Sequence, residues 1–201
     1  MTSHEAAYLA SLKAKINGYA PVSEVSWQLV EDLAIFQTLS PGGLLLSAGQ
    51  RARNFYYVGQ GAVRAYVTDE RGKIYNKNLF LEGDFCASTV SLLQATPSRF
   101  TLEALEETTV IRLVYRKFRA LIDQHNDLKN FYIANLEDNW IIKKEQREVA
   151  LVLENATNRY RKLLREHPGI DRRIAQQHLA AHLGITPTQL SRIKKSVKIN
   201  H

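Results

Sequence analysis

Apolar positions along the chain change period twice, and each change marks an element boundary. Over residues 3–17 and 23–34 they recur at helical spacing. The second run follows Ser23, a preferred N-cap, and sets Leu29, Val30 and Leu33 on one face. From about Phe36 to Tyr115 short apolar or alternating runs replace that pattern, at 44–46, 55–58, 63–67, 75–81, 100–105 and 110–114. Gly49, Gly59, Gly61, Gly72 and Gly83 separate them, and Asp69-Glu70-Arg71-Gly72 reads as a hairpin tip. The pattern predicts a compact antiparallel β-roll or barrel.

Helical spacing then returns, with no Gly or Pro from Arg116 to His167. A short helix is predicted over 116–124 and a long one over 127–153, roughly 40 Å at 1.5 Å per residue. Leu128, Tyr132, Asn135, Asn139, Ile142, Gln146, Val149 and Leu153 fall at alternating steps of three and four, a seam like that of a coiled coil. Phe131 and Trp140 lie on other faces and suit packing on the roll. A single buried core helix would give a similar stretch. A helix this long overhangs the roll, however, which favours self-association through Leu128, Tyr132, Ile142 and Val149. Another helix is predicted over 155–166, ended by Pro168-Gly169.

The last region carries the most specific signal. Residues 175–183 read as a short helix stopped by Gly184, which can adopt the left-handed conformation of a C-cap. A second helix starts at once: Thr186 is a good N-cap, Pro187 suits the first turn, and Gln189 closes a capping box. Two short helices joined by a tight glycine turn make a helix-turn-helix. On the second helix Leu190 and Ile193 point one way; Thr188, Ser191, Arg192 and Lys195 cluster on the opposite side. Those two cations and two hydroxyls can address base edges and phosphates. Gln189 and Thr186, at the same helix start, complete that end of the candidate DNA-contact set.

Charge agrees with this reading. Residues 157–201 hold ten Lys or Arg against Glu166 and Asp171, while the rest of the chain balances 17 cations against 18 carboxylates. A basic excess confined to one end points to a polyanion, double-stranded DNA before a membrane surface. With 45% apolar and 23% charged residues the chain is ordinary globular protein, not a fibrous or disordered one. No 18-residue apolar window exists for a membrane span, and Glu5, Lys13 and Lys15 stand where a signal peptide needs an apolar core. Cys86 is the only cysteine, so no internal disulfide or four-thiolate iron–sulfur cluster can form; it is read as a buried apolar residue in a cytoplasmic protein. None of the six histidines falls within the predicted roll, which argues against a metalloenzyme of the cupin kind and against a bound metal. His178 and His182 stand at i and i+4 without a third ligand and are read as surface residues of the helix-turn-helix.

The order of roll, long helix and helix-turn-helix resembles the Crp/Fnr family of bacterial transcription regulators. The likeness covers nearly the whole chain. It rests on the glycine-punctuated roll, on Gly83-Asp84-Phe85, and most specifically on LGITPTQLSRIKK at 183–195. It implies an α+β chain with three parts: a cyclic-nucleotide-binding-like β-roll (a double-stranded β-helix) at 1–126, a dimerisation helix at 127–153, and a DNA-binding domain at 154–201. It also implies a non-enzymatic homodimer reading a palindromic operator, with RNA polymerase as a candidate partner. By position Thr188 and Arg192 match base-contacting sites, and Gln176 and Gln177 lie near phosphates. The family's nucleotide binders carry a Gly-Glu pair after Gly-Asp-Phe, where this chain has Ala87 and Ser88. Their Arg-Ser pair falls on Ser98 and Arg99, with the charge offset by one. The candidate effector pocket is therefore Gly83, Ser88, Ser98 and Arg99, and its effector is expected to be an unknown small molecule rather than cyclic AMP. A cyclic-nucleotide-binding module acting on a protein partner is the alternative. After Lys195 six residues follow, too few for a complete two-stranded wing.

Overall fold

A computed structural model of the chain describes residues 2–199. Two amphipathic helices come first, α1 (Ser3–Tyr19) and α2 (Glu24–Glu31). Thr2 and Glu5 close a capping box on α1, and the Ser23 hydroxyl accepts from the Ser26 N–H on α2. Eight strands follow: β1 (Ile35–Leu39), β2 (Leu44–Leu46), β3 (Asn54–Gln60), β4 (Val63–Thr68), β5 (Ile74–Phe80), β6 (Phe85–Cys86), β7 (Thr101–Ala104) and β8 (Thr108–Val114). They form two antiparallel four-stranded sheets, ordered β1-β8-β3-β6 and β2-β7-β4-β5, which face each other as the expected roll.

Strand β3 reads as a continuous apolar run because both of its faces are buried. Tyr56 and Val58 point into the roll beside Val110 and Cys86, whereas Phe55 and Tyr57 point outward under α1 and the later helices. Gly61, between β3 and β4, sits at φ +94°, and a Cβ there would lie 2.5 Å from the Glu107 carbonyl; only glycine lets the chain pass. At the β4–β5 tip the Asp69 carboxylate accepts from the Arg71 and Lys73 N–H groups, fixing the expected hairpin. Cys86 is fully buried, and burial pushes its thiol pKa far up. Short α3 (Thr89–Gln94) links β6 to β7.

Helices α4 (Tyr115–Gln124) and α5 (Asn126–Leu136) lead into a π-helical turn, Glu137–Ile142, and then α6 (Lys143–Leu153). The long helix thus exists, but the π turn rotates its second half relative to its first. Leu128 and Tyr132 are buried in the core that α1, β3, β8 and α4 build, together with Phe131. The expectation that these two belong to a free seam is corrected here: their apolar surface is already spent on the roll of the same chain. Ile142 at the end of the π turn and Val149 beyond it are about half exposed, while Val152 and Leu153 are 82% and 78% exposed. Helices α7 (Ala156–Glu166), α8 (Ile170–Arg173), α9 (Gln176–Leu183) and α10 (Pro187–Ile199) form the C-terminal cluster. Its core of Tyr160, Leu163, Ile174, Leu179, Leu183 and Leu190 is continuous with Ala62 and Leu81 of the roll.

Candidate nucleic-acid interface

Local chemistry builds the helix-turn-helix as expected. Gly184 adopts φ 71°, its N–H returning to the Ala180 carbonyl, and the Ile185 N–H reaches the same oxygen at 3.0 Å. The Gln189 N–H donates to Thr186 Oγ1 at 3.2 Å while Gln189 Oε1 accepts from the Thr186 N–H at 2.9 Å, which starts α10 at Pro187. Leu190 is buried between the two helices. Thr188, Arg192 and Lys195 are exposed on the opposite side and Ser191 is half-exposed beside them. Among the described residues no carboxylate lies within salt-bridge distance of Arg192 or Lys195, so both cations face solvent unpaired.

Other members of the expected set are occupied inside the molecule. Gln176 Nε2 donates to the Pro187 carbonyl at 2.7 Å, tying the starts of the two helices together. Thr186 and Gln189 spend their polar atoms on the cap, and Gln177 remains exposed. Lys194 turns away from the face to donate to the Asp171 carbonyl at 3.3 Å.

His178 and His182 are less exposed than the sequence reading had them. Helix α9 lies along β5, where the His182 imidazole is enclosed and that of His178 is about half-buried. Arg64 Nη1 stands 3.0 Å from His178 Nδ1, its Nη2 holds Glu103 at 3.0 and 3.1 Å, and its guanidinium lies 4.1 Å over the Tyr66 ring. Buried Asn76 donates to the His178 carbonyl at 2.9 Å. Arg147 of α6 donates to the Lys77 carbonyl, to Asn78 Oδ1 at 3.0 Å and to His182 Nδ1 at 3.4 Å. Burial first, then the neighbouring guanidinium, lowers both imidazole pKa values; that of His182 falls to about 3. Both rings are neutral near pH 7 and serve as acceptors. Arg173 completes the contact by bridging Glu82 at 2.5 Å and Glu106 at 2.6 Å. Burial alone would raise the Glu82 pKa, but the Arg173 guanidinium outweighs it and holds the carboxyl below its usual value. The sequence reading missed Arg64 and Arg147. An arginine inside the apolar run of β4 was the one available signal.

Of the four expected effector residues only Ser88 and Ser98 meet. Ser88 lines a cavity of about 490 Å³ in the roll with Leu46, Arg51, Arg53, Asn54 and Tyr56. Ser98 is buried; its single hydroxyl proton goes to the Phe100 carbonyl at 2.8 Å or to Ser88 Oγ at 2.9 Å. Arg99 is exposed, and Gly83 belongs to a turn where its N–H donates to the Val58 carbonyl at 2.9 Å. By the resemblance Ser88 takes the position of the ribose acceptor, with a buried hydroxyl in place of a carboxylate, and Ala87 beside it is buried too. These residues do not fit a cyclic nucleotide held in the manner the resemblance implies. Among the described residues no three His, Cys, Asp or Glu side chains could share a metal ion, and no helix is long and apolar enough to cross a membrane.

Comparison with known proteins agrees with this architecture. Residues 36–125 match the cyclic nucleotide-binding domain. A curated relative, the cAMP-activated global transcriptional regulator CRP of Pasteurella multocida (strain Pm70), is 25% identical over 168 residues, covering 78% of this chain and 79% of that protein. Among solved structures, the c-di-GMP responsive global regulator CLP of Xanthomonas campestris superposes with a TM-score of 0.68 at 14% identity, over 89% of this chain and 93% of that one. The catabolite activator protein of Thermus thermophilus gives 0.56 at 22% identity, over 92% and 87%. The chain thus shares its fold, a roll feeding a long helix and a C-terminal helical cluster, with transcription regulators of this kind. In sequence and architecture it is similar to proteins of the Crp/Fnr type.

Proposed function

We propose that the protein is a homodimeric, sequence-specific DNA-binding transcription regulator, acting in the cytoplasm on a palindromic operator and controlled by a small molecule other than cyclic AMP. The observation that carries this reading is the solvent-facing side of α10, where unpaired Arg192 and Lys195 flank Thr188 and Ser191 on a capped, packed helix. Arg192 reads a base edge or grips a phosphate, Thr188 and Ser191 hydrogen-bond alongside, and Lys195 supplies backbone attraction. Gln177 lies near the phosphates from the start of α9. Pairing of two copies uses the exposed apolar positions from the end of the π turn onward, half-exposed Ile142 and Val149 with the more open Val152 and Leu153. Two recognition helices then fall on major-groove faces about 34 Å apart. The roll and the helix-turn-helix act as sensing and reading parts on either side of the long helix, with RNA polymerase as the candidate protein contact.

Selection of bound duplexes from a random pool, with salt titration and a measured protein-to-DNA ratio, tests the reading. The expected result is a two-fold symmetric site occupied by two chains, with affinity falling steeply as salt rises. Failure to enrich any duplex at low salt, with and without cell extract, overturns it. Calorimetric titration with cyclic AMP and cyclic GMP addresses the alternative: nucleotide binding without DNA binding would make the chain a regulatory module for a protein partner.

A further inference from the structure

The C-terminal helices do not close flat against the roll. A cleft of about 660 Å³ lies between β5, the π turn with α6, and α7 and α9. Seven Lys or Arg line it against four carboxylates. Several of those cations are accounted for. Arg147 is committed to the β5 carbonyls, Lys143 pairs with Asp138 at 2.7 Å, and Lys144 leans toward Glu148 at 3.5 Å.

Lys77 is different. Its ammonium sits 5.0 Å from the Trp140 ring and 4.9 Å from the Phe100 ring, and among the described residues no carboxylate lies within 4.0 Å of it. Half-burial, with Arg147 and Lys144 nearby, lowers its pKa. Two aromatic faces offset only part of the hydration that a half-buried ammonium gives up. Its backbone carbonyl accepts from Arg147, which ties this stretch of β5 to α6. A half-buried ammonium on the wall of a cation-rich cleft has an anion as its natural complement. The excess of cations over carboxylates favours one with two or more charges.

We propose that this cleft is the effector site, that it takes a small polyanion of the phosphate or polycarboxylate type, and that Lys77 contacts the anion beside the Trp140 ring. The inference rests on the regulator reading only in naming the ligand an effector. Because the cleft is walled by sheet, long helix and C-terminal cluster together, an anion there bears on the relative placement of all three.

The test is calorimetric titration of the full-length protein at constant ionic strength, with inorganic pyrophosphate and with citrate as separate probes. The expected result is a saturable isotherm for at least one probe, weakened about tenfold or more by Lys77→Met and unchanged by Lys117→Met on the exposed surface of α4. Which probe binds separates phosphate from carboxylate chemistry. Tryptophan fluorescence supplies a second readout: the response survives Trp27→Phe and disappears in Trp140→Phe. No saturable heat from either probe at millimolar concentration, or equal affinity in wild type and Lys77→Met, overturns the proposal. DNA selection succeeding where both isotherms fail would remove this inference and leave the DNA-binding reading. The converse outcome would remove the DNA-binding reading alone.

Discussion

Replacing Arg64 with methionine should be among the most damaging single changes in the chain, for a reason that can be sized from its contacts. The Arg64 and Glu103 side chains retain only 9% and 16% exposure, and one guanidinium nitrogen, Nη2, reaches both carboxylate oxygens at 3.0 and 3.1 Å. Methionine approximates the volume of arginine, so little cavity forms. The loss is electrostatic: Glu103 keeps its charge in a poorly solvated position with no partner, a situation that costs about 3–5 kcal/mol. Loss of the guanidinium over Tyr66 adds to it, roughly 0.5–2 kcal/mol. Against a typical total of about 5–15 kcal/mol, Arg64→Met should leave a folded but weakened protein. Urea unfolding followed by far-UV circular dichroism measures the change, with an unaltered m-value showing that two-state behaviour persists. The double variant Arg64→Met/Glu103→Leu, which removes the stranded charge, should recover to within about 1 kcal/mol of wild type. A single-variant loss below about 1 kcal/mol, or a double variant no better than Arg64→Met, would refute the argument.

Three further predictions follow from the same geometry. Arg192→Ala should weaken operator binding by about 1–3 kcal/mol in a mobility-shift assay if Arg192 reads a base, while equal losses on operator and random duplex would make it a phosphate contact. The His178 and His182 pKa values are lowered in the folded protein, His182 to about 3, so the unfolded chain takes up protons first as pH falls through about 6.5. Their stabilising contribution is complete above that pH and declines below it, by up to about 1.4 kcal/mol per pH unit for enclosed His182 and by less for half-buried His178; urea midpoints from pH 7 to 4.5 that stay flat, or a slope unmoved by His182→Gln, would contradict this. Gly184→Ala meets no atom within 4 Å, so its cost is the left-handed backbone alone, about 1–2 kcal/mol, read as a lower melting temperature.

What the sequence made legible was local. Gly184, Thr186 and Gln189 announce their cap and turn through short-range chemistry, and Asp69 through Gly72 do the same at the hairpin tip. The β-runs at 55–58 and 110–114 were visible because strands buried on both faces become continuously apolar. Contacts that depend on how distant pieces dock were not visible. A step of three and four at Leu128 and Tyr132 looks the same whether the covering surface is a second copy or the roll of the same chain, and nothing local marks the π turn at 137–142. His178 and His182 read as surface residues because Arg64 and Arg147, which pack against them, lie far away in sequence. The bond from Gln176 to the Pro187 carbonyl was equally hidden, because its acceptor is a backbone atom that any sequence would supply. Two-residue β6 is too short to carry a period.

The sealed position of the lone thiol at Cys86 has a practical corollary. With its sulfur fully enclosed and its acidity suppressed, the folded protein offers maleimides and nitroxide reagents nothing to react with. A cysteine placed at Val152 would then be the sole labelling handle on each copy. In the proposed dimer the separation between two such probes would gauge how the two long helices sit, without first stripping the native residue from the core.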